Sequence, residues 1–449
     1  MGQAVETLIG LMPEGRGFAL PHGAVRDLQL AALDERLREQ APRIRLVALR
    51  AEDAGIDRIR ALADVVPLLL PHTAYKSYPE TVLTGGKWAV LTRWLATVSA
   101  QPVDGIDLAG VDSLDAWIAA CEQAGLPVSC SSGTTGKAAM LVASQADLDF
   151  VTRAQVAAVE WGSAIRRDDG RTPAGPAGVV ARTPRNSASG MGLAAAFMDP
   201  AARRFDPGLP PATIGTLTAM VMMRRRMAEG TALPSEVAAF ERESTARAEA
   251  LAAAQAGAVE DIIAKRRERL FITGMWGALY PFAEAVRARG FSGADFHPEN
   301  AVYLGGGLKR ARLPASYREF VFETFNLAPR FVCQMYSMQE LNSAMPRCPA
   351  GRYHVPPWVI CLPLDTSGET LLEPGRAEIE CRAAFFDLSL EGRWGGVISG
   401  DRIHLTMEPC ACGNGSPSIR DDVERYADLE GDDKIACAGT VDAYVRGLS

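Results

Sequence analysis

The sequence predicts an α/β fold, in which a large layered region of mixed sheets and helices is followed by a smaller β subdomain. Short apolar segments repeatedly end in Gly- or Ser-rich stretches and are separated by helical patterns, as in LFITG, AVYLGGG and FVCQMYSMQE. Strands that alternate with helices favour a layered α/β fold whose site lies at the carboxyl ends of the strands. From Trp358 onward, short strands separated by turn signals predict the β subdomain.

The N-terminal part is predicted to be mainly helical. Residues 24–63 and 85–100 have apolar positions at helical spacing, and residues 111–128 predict a helix that runs into a short strand. Between them, residues 65–83 contain prolines and an apolar run, which predicts extended chain and a turn. His72 and Lys76 in this part are candidates to face a ligand, the alternative being surface or cap positions.

The middle of the chain contains one helix start and one long helical block. Ser144 is a good N-cap for a helix over residues 144–162. Residues 178–198 predict a short strand and a Ser/Gly-rich turn of the kind that lines a pocket. Residues 217–269 are rich in Ala, Arg, Glu and Met, which predicts two or three long helices that cover the pocket. We therefore expect a core over residues 1–357 with a helical insertion at about 217–269, a β subdomain over 358–419 and a short hinge-like tail over 420–449.

The composition excludes several classes of protein. Of 449 residues, 48% are hydrophobic and 22% charged, as in an ordinary globular protein. The net charge of −7 and the scattered arginines give no support for nucleic-acid binding. No secretory signal and no membrane span are predicted, so the expected location is cytoplasmic. Nine cysteines in such a chain favour free thiols or metal ligands over disulfides.

The run SSGTTGK follows a predicted strand and has the composition of a phosphate-binding loop. Glycines allow a tight turn that presents backbone N–H groups to an anion, hydroxyl groups add donors, and a lysine adds charge. Only two residues separate the glycines, so the spacing differs from that of a P-loop. The alternative is a Ser/Gly linker. The residues concerned are Ser131, Ser132, Gly133, Thr134, Thr135, Gly136 and Lys137.

A second constellation consists of three cysteines and one histidine. Cys348 and His354 are followed downstream by Cys410 and Cys412 in the turn-like CACGNG. Three thiolates and an imidazole suit tetrahedral Zn²⁺, and with four protein ligands the site would be closed and structural. The alternative is a set of unrelated buried thiols.

The sequence resembles the adenylate-forming (ANL) superfamily, which includes acyl-CoA synthetases and phenylacetate-CoA ligases. Within it, the chain looks most like the acyl-protein synthetase (LuxE-type) branch. The resemblance covers residues from about 70 onward and rests on four motifs in the family's order, which are SSGTTGK at Ser131–Lys137, GGG at Gly305–Gly307, YSMQE at Tyr336–Glu340 and SGD at Ser399–Asp401.

The resemblance implies a role for each motif. The hydroxyl-rich loop and Lys137 would hold the ATP phosphates, and the glycines Gly305, Gly306 and Gly307 would lie beside adenine. Tyr336 would pack on the base, Glu340 would hold Mg²⁺, and Asp401 would accept hydrogen bonds from the ribose hydroxyls. These assignments agree with the preference of hard cations for carboxylate oxygen and of a diol for a two-oxygen acceptor. Phenylacetate-CoA ligases have a Cys, His and Cys-x-Cys arrangement similar to that of Cys348, His354, Cys410 and Cys412, which also favours structural zinc.

Two departures from the family pattern bear on the acceptor of the acyl group. The loop lacks the Pro-Lys that often follows its second glycine, and the usual C-terminal domain with its adenylation lysine is truncated. The second departure favours the LuxE-type branch, which carries its acyl group on a cysteine near the C-terminus. Cys437 matches that placement, and nearby Lys434 would lower its pKa. The alternative is that Cys437 is a small apolar residue on a strand.

The predicted activity is that of an AMP-forming acid–thiol ligase. A fatty or aromatic acid would be activated as an acyl-adenylate and transferred to a thiol, either that of Cys437 or that of a partner reductase. Glu340, Lys137 and Cys437 are the expected catalytic residues, with ATP, Mg²⁺ and structural Zn²⁺ as cofactors. The alternatives are a phenylacetate-type aryl-CoA ligase, with CoA as the acceptor, and a catalytically inactive nucleotide-binding subunit of an acyl-reductase complex.

Overall fold

The computed structural model describes residues 2–130, 137–178, 183–308, 311–373, 375 and 378–430. The predicted α/β class is confirmed, because these described residues form helices around three sheets of two, five and seven strands. No helix in this described part combines the length and the apolar character needed to cross a membrane.

The N-terminal region is mainly helical, as predicted. Residues 65–68, predicted as extended chain, instead lie in the 3-10 helix Leu62–Leu68, and further 3-10 helices cover Pro13–Ala19 and Ala74–Lys76. A hairpin of β2 and β3 flanks the predicted phosphate loop. The elements are α1 (Gln3–Ile9), α2 (His22–Gln40), α3 (Arg45–Asp53), β1 (Leu70–Pro71), α4 (Glu80–Thr84), α5 (Trp88–Val98), α6 (Leu114–Gln123), β2 (Val128–Cys130), β3 (Met140–Val142) and α7 (Gln145–Gly162).

The five-stranded sheet forms the layered part of the molecule. Its order is β4-β5-β6-β7-β8, with the first four strands parallel and β8 antiparallel. Both faces are covered, one by α7 and α8 and the other by α10, α11 and α12, as parallel sheets require. The elements are β4 (Thr172–Ala174), α8 (Pro184–Phe197), α9 (Ile214–Ala228), α10 (Pro234–Ala264), β5 (Leu270–Gly274), α11 (Trp276–Ala288), β6 (Ala301–Gly305), α12 (Tyr317–Thr324), β7 (Val332–Tyr336) and β8 (Met345–Pro346), with 3-10 helices at Gly293–Asp295 and Pro329–Phe331.

The seven-stranded sheet contains the five strands that follow Trp358, together with two from earlier in the chain. Its main path is β10-β11-β12-β13-β9, while β1 and β14 pair with β12. β11 pairs with one edge of β12. The short strands β1, β14 and β13 therefore pair with different parts of its other edge. The elements are β9 (Arg352–His354), β10 (Val359–Leu364), β11 (Ile379–Asp387), β12 (Gly396–Thr406), β13 (Ser418–Arg420), β14 (Glu424–Arg425) and α13 (Tyr426–Glu430).

The long helices predicted over residues 217–269 are present as α9 and α10, whereas the Ser/Gly-rich turn predicted before them is wrong. Residues 184–197 form the helix α8, with Thr183 as N-cap at 3.2 Å from the Asn186 nitrogen and Pro184 in its first turn. Its small residues allow close packing on α7, because a Cβ at Gly192 would lie 2.5 Å from Thr152 Cγ2. The serines and glycines of this segment suggest a turn in the sequence, but in the structure they form the contact between α8 and α7.

The start of α7 is as predicted. Ser144 Oγ accepts a hydrogen bond from the Asp147 backbone nitrogen at 3.1 Å, and the Asp147 carboxylate accepts one from the Ser144 nitrogen at 2.7 Å. This reciprocal capping satisfies two N–H groups that would otherwise lack a partner within the helix. The helix that it starts covers one face of the five-stranded sheet.

Candidate active site and Cys/His cluster

The loop after β7 carries Glu340 and is held by two buried arginines. Arg393 donates hydrogen bonds to the carbonyl oxygens of Gln339 and Glu340 at 3.1 and 3.0 Å. Arg185, in the first turn of α8, donates to the Leu341 carbonyl at 2.8 Å. Charged donors to backbone carbonyls are stronger than neutral ones, so the loop is fixed in place while the Glu340 side chain is left partly exposed.

Two buried carboxylates hold the next residues of the same loop. Asp387 accepts from the backbone nitrogens of Asn342 and Ser343 at 2.9 and 3.0 Å. Asp147 accepts from the Asn342 side chain at 2.8 Å. Within the described part of the chain, by contrast, the Glu340 carboxylate makes no hydrogen bond or ion pair. It lies at the carboxyl end of β7 as an anionic group that could bind a cation.

Tyr336 and Asp401, which are 65 positions apart in the sequence, are in direct contact. The Tyr336 hydroxyl donates to Asp401 Oδ2 at 2.7 Å, and Arg425 Nε lies 3.7 Å from Asp401 Oδ1. Burial raises the pKa of Asp401, whereas the hydrogen bond from Tyr336 opposes this rise. Burial also holds the pKa of Tyr336 well above its ordinary value, so the phenol remains the donor. The two sheets therefore meet at this pair.

The chain from β1 to α4 contacts both β12 and the residues Lys137 and Ala138 at the end of the predicted phosphate loop. The His72 nitrogen donates to the Ile398 carbonyl at 2.9 Å, next to the β1–β12 pairing. Farther along, the Tyr78 hydroxyl donates to the Ala138 carbonyl at 2.8 Å, and Lys137 Nζ donates to the Tyr78 carbonyl at 2.8 Å. This segment thus joins the end of the loop motif to the strand that carries Asp401.

Lys76 lies in the middle of this segment and is half-buried. Burial lowers the pKa of its ammonium group, the Glu340 carboxylate opposes the change, and Arg425 adds to it. Lys76 is therefore close enough to both groups for their charges to act on it. This agrees with its place among the residues that the sequence offers as candidates to face a ligand.

Gly305, Gly306 and Gly307 lie at the end of β6 and directly after it. Gly306 has φ +79°, a conformation that L side chains rarely adopt, which explains glycine at that position. A Cβ at Gly305 or Gly307 would meet nothing within 4 Å. The described residues therefore give no steric reason for glycine at these two positions, and the clearance is available to a ligand.

Seven predicted site residues lie outside the described residues. They are Ser131, Ser132, Gly133, Thr134, Thr135 and Gly136 of the phosphate loop and Cys437 of the tail. Of the remaining predictions, the structure brings Tyr336, Asp401 and Glu340 toward one edge where the sheets meet. Their assigned roles in binding nucleotide and Mg²⁺ stay predictions.

The Cys/His cluster consists of Cys348, His354, Cys410 and Cys412. One ligand atom from each residue lies within 4.8 Å of the others. Cys348 Sγ and Cys410 Sγ are 3.8 Å apart, and Cys412 Sγ is 3.4 Å from His354 Nε2. Around tetrahedral zinc, bonds of about 2.3 Å to sulfur and about 2.0 Å to nitrogen give ligand separations of about 3.8 Å and about 3.5 Å. The donor set and its spacing therefore fit zinc.

Hydrogen bonds orient the ligands of this cluster. His354 Nδ1 lies 2.8 Å from Ser416 Oγ, so Nε2 is the ring nitrogen directed at the cysteines. Asn414 donates to Cys412 Sγ at 3.2 Å. Burial lowers the pKa of His354 to about 4, which keeps the imidazole in the neutral form that binds metal. The ring also packs near Trp161, with centroids 5.1 Å apart, so the cluster contacts the end of α7.

The sequence analysis did not identify the buried charges that hold the Glu340 loop. Asp387 follows an apolar run, FF, and Arg393 precedes WGG, so both lie within segments that read as core. A charged side chain in such a segment is rarely buried without a partner. That signal would have selected both residues as members of an internal polar network, although not their partners.

Comparison with known proteins agrees on the fold. No family model and no curated protein sequence matches the chain. Among solved structures, 2-hydroxyisobutyryl-CoA ligase in an open conformation with 2-HIB-AMP and CoA is similar with a TM-score of 0.56 at 13% identity, over 94% of this chain and 75% of that chain. The same ligase in the thioesterfication state matches with a TM-score of 0.55 at 14% identity, over 92% and 70%.

A third structure of that ligase, in the postadenylation state with R3-HIB-AMP, matches with a TM-score of 0.54 at 13% identity, over 93% of this chain and 73% of that chain. The chain is thus similar in fold to this CoA ligase over most of its own length. At these identities, the similarity concerns the fold.

Proposed function

We propose that this chain activates a carboxylic acid with ATP to form an acyl-adenylate and then transfers the acyl group to a thiol. The observation that carries the proposal is the Tyr336–Asp401 contact near a Glu340 carboxylate that has no described partner, in the fold of acyl-CoA ligases. An aromatic hydroxyl, a buried carboxylate and a cation-binding carboxylate at one edge suit the base, ribose and metal-bound phosphates of a nucleotide.

In the first step, a carboxylate oxygen of the acid attacks the α-phosphorus, the bond to the bridging oxygen breaks, and pyrophosphate leaves. Glu340 would hold Mg²⁺, which would offset charge on the phosphate oxygens. Asp401 would accept from the ribose hydroxyls through the oxygen that Tyr336 does not use. Lys137 and the hydroxyl-rich loop would bind the phosphates. Arg393 and Arg185 act on the loop backbone and keep Glu340 in position.

In the second step, a thiol attacks the acyl carbonyl, a thioester forms and AMP leaves. In the acyl-protein synthetase reading, the thiol is that of Cys437 or of a partner reductase. A phenylacetate-type aryl-CoA ligase is the second candidate. It is favoured by the Cys/His cluster, because phenylacetate-CoA ligases have a similar arrangement of cysteines and a histidine. The ligase with a similar fold has been solved with an adenylate and CoA, which suits either reading.

The test is acid-dependent exchange of labelled pyrophosphate into ATP, measured with a panel of straight-chain fatty acids and arylacetic acids. At least one acid should support exchange. Nucleotide binding without exchange by any acid would reject acid activation and favour the inactive nucleotide-binding subunit. The acceptor is identified by a mass spectrum of the intact protein, recorded after incubation with ATP and the accepted acid, with and without CoA. A protein that carries the acyl group indicates an acyl-cysteine, whereas release of acyl-CoA indicates CoA as the acceptor.

The proposed metal at the Cys/His cluster is zinc in a structural role. Four protein ligands leave no open position for substrate, which is typical of structural zinc sites. The ligands come from the turn between β8 and β9, from β9 itself and from the turn after β12. Zinc would join these segments and so fix the seven-stranded sheet beside the loop that carries Glu340.

A further inference from the structure

Lysine is rare in this chain, and the few lysines differ in what they contact. The basic residues, 47 in all, are mostly arginine. The lysines are Lys76, Lys87, Lys137, Lys265, Lys309 and Lys434. Lys137 donates to a backbone carbonyl, Lys265 pairs with Asp261 at 2.8 Å, and Lys87 is exposed. Lys76 is half-buried, and within the described part of the chain its ammonium group makes no hydrogen bond or ion pair.

The backbone around Lys76 is fixed at both ends. Four residues before it, the His72 nitrogen is bonded to Ile398 on β12, and two residues after it, Tyr78 contacts both Lys137 and Ala138. The 3-10 turn Ala74–Lys76 therefore carries the lysine between the end of the predicted phosphate loop and the strand of Asp401. A lysine side chain is long and flexible, but the backbone position from which the Lys76 side chain extends is fixed by these contacts.

The charges that act on Lys76 are those of the candidate site. Glu340 attracts its ammonium group, while Arg425, which lies beside Asp401, repels it. A partly buried ammonium group without a described hydrogen-bond acceptor is costly, because it loses hydration without compensation. An anionic ligand located beside Lys76 and Glu340 would supply the acceptor.

We propose that Lys76 is a catalytic residue that contacts the α-phosphate and the attacking carboxylate in the adenylation step, a role that rests on the proposed function. Two anions must approach each other in this step. The Lys76 ammonium donates hydrogen bonds to a non-bridging α-phosphate oxygen and to the acid oxygen that is not attacking. It offsets the charge of both and keeps its proton, while the electrons of the broken bond leave with pyrophosphate.

The test compares Lys76→Met with Lys76→Arg and with Lys87→Met as the matched control. Methionine retains an unbranched apolar stem, so the fold should be kept, which thermal melting checks. The first readout is the affinity for AMP and for adenosine, measured by calorimetry. Lys76→Met should weaken AMP binding roughly tenfold and leave adenosine binding unchanged, since only AMP carries the α-phosphate. Lys87→Met should change neither affinity.

The second readout is pyrophosphate exchange with the acid that supports it in the wild type. Lys76→Met should lower the exchange rate roughly 10²- to 10³-fold, as the loss of one preorganised donor does in other enzymes. Lys76→Arg keeps the charge but changes the shape of the cationic group, so its exchange rate should lie between those of the wild type and Lys76→Met. Unchanged AMP affinity or exchange in Lys76→Met overturns the proposal. A selective loss of AMP affinity, with no exchange by the wild type, supports the α-phosphate contact and rejects acid activation.

Discussion

The Cys/His cluster and the candidate active site differ in how far the protein alone brings their functional atoms together. In the cluster, four ligand atoms lie within 4.8 Å of one another, and hydrogen bonds orient two of the ligands. In the candidate site, Tyr336 and Asp401 are bonded to each other, whereas the charged groups of Glu340 and Lys76 make no hydrogen bond or ion pair with the described residues.

The difference follows from what each site would bind. A metal ion is a point, so its ligands must converge on one position, and their convergence is visible in the protein. A nucleotide with a second substrate extends over many atoms, so the groups that bind it stay apart and contact different parts of it. The cluster should therefore determine mainly stability, and the site mainly binding and rate.

The largest expected effect is that of losing a cluster ligand. Cys410→Ala should lower the zinc content from about one equivalent per chain and the Tm by about 10 °C or more, because structural zinc contributes several kcal/mol to folding. Zinc content is measured by atomic emission and Tm by thermal melting. Cys381→Ala, which alters a buried cysteine outside the cluster, is the control and should retain the metal. Equal zinc content in the two variants would contradict the assignment.

If Cys410→Ala does not fold, chelation of the wild type provides the same comparison. Removal of zinc with a strong chelator should lower the Tm of the wild type and of Cys381→Ala alike, and added zinc should restore it. A preparation that contains no zinc and is insensitive to chelator would favour unrelated buried thiols.

The next effect concerns rate with little change in stability. Glu340→Gln should lower acid-dependent pyrophosphate exchange on the order of 10²-fold or more, because a neutral amide binds a hard cation poorly and charge on the phosphates is then less well offset. Its Tm should match the wild type, since the side chain has no described partner to lose. The control is Glu369→Gln, an exposed glutamate in a turn. A large fall in Tm would make Glu340 a structural residue.

A smaller effect is expected at Asp401. Asp401→Asn keeps an acceptor for the Tyr336 hydroxyl but removes the charge, so the KM for ATP should rise about tenfold with a smaller change in kcat. Steady-state exchange kinetics at varied ATP measure both constants, with the exposed Asp104→Asn as control. If kcat fell and KM did not change, Asp401 would act on the chemical step instead of on nucleotide binding.

The smallest effects lie between the two regions, at the contact of α7 and α8. Gly192→Ala should destabilise the fold by about 1–2 kcal/mol, because its Cβ would lie 2.5 Å from Thr152 Cγ2. Gly190→Ala, two residues away with nothing within 4 Å, should stabilise it by up to about 1 kcal/mol, as alanine favours the helix. Chemical denaturation measures both. Equal effects would argue against the close helix contact, and neither change should alter zinc content.

Residue type and local spacing were enough for much of the fold and for one set of ligands. Alternating strands and helices predicted the α/β class, the composition of residues 217–269 predicted two or three long helices where two are found, and Ser144 predicted the start of α7. The four cluster residues were selected by ligand chemistry, since few other side chains suit zinc. These features depend on properties of neighbouring residues, which a sequence displays directly.

Only the tertiary structure decided the features that depend on pairing between distant segments. It made residues 184–197 a helix, because small side chains pack closely on α7. It added β1 and β9 to the seven-stranded sheet, placed Tyr336 in contact with Asp401, and set Lys76 on a segment that contacts both Lys137 and β12. Strand register and helix packing select these contacts through the burial of whole surfaces, and no local pattern of residues contains that information.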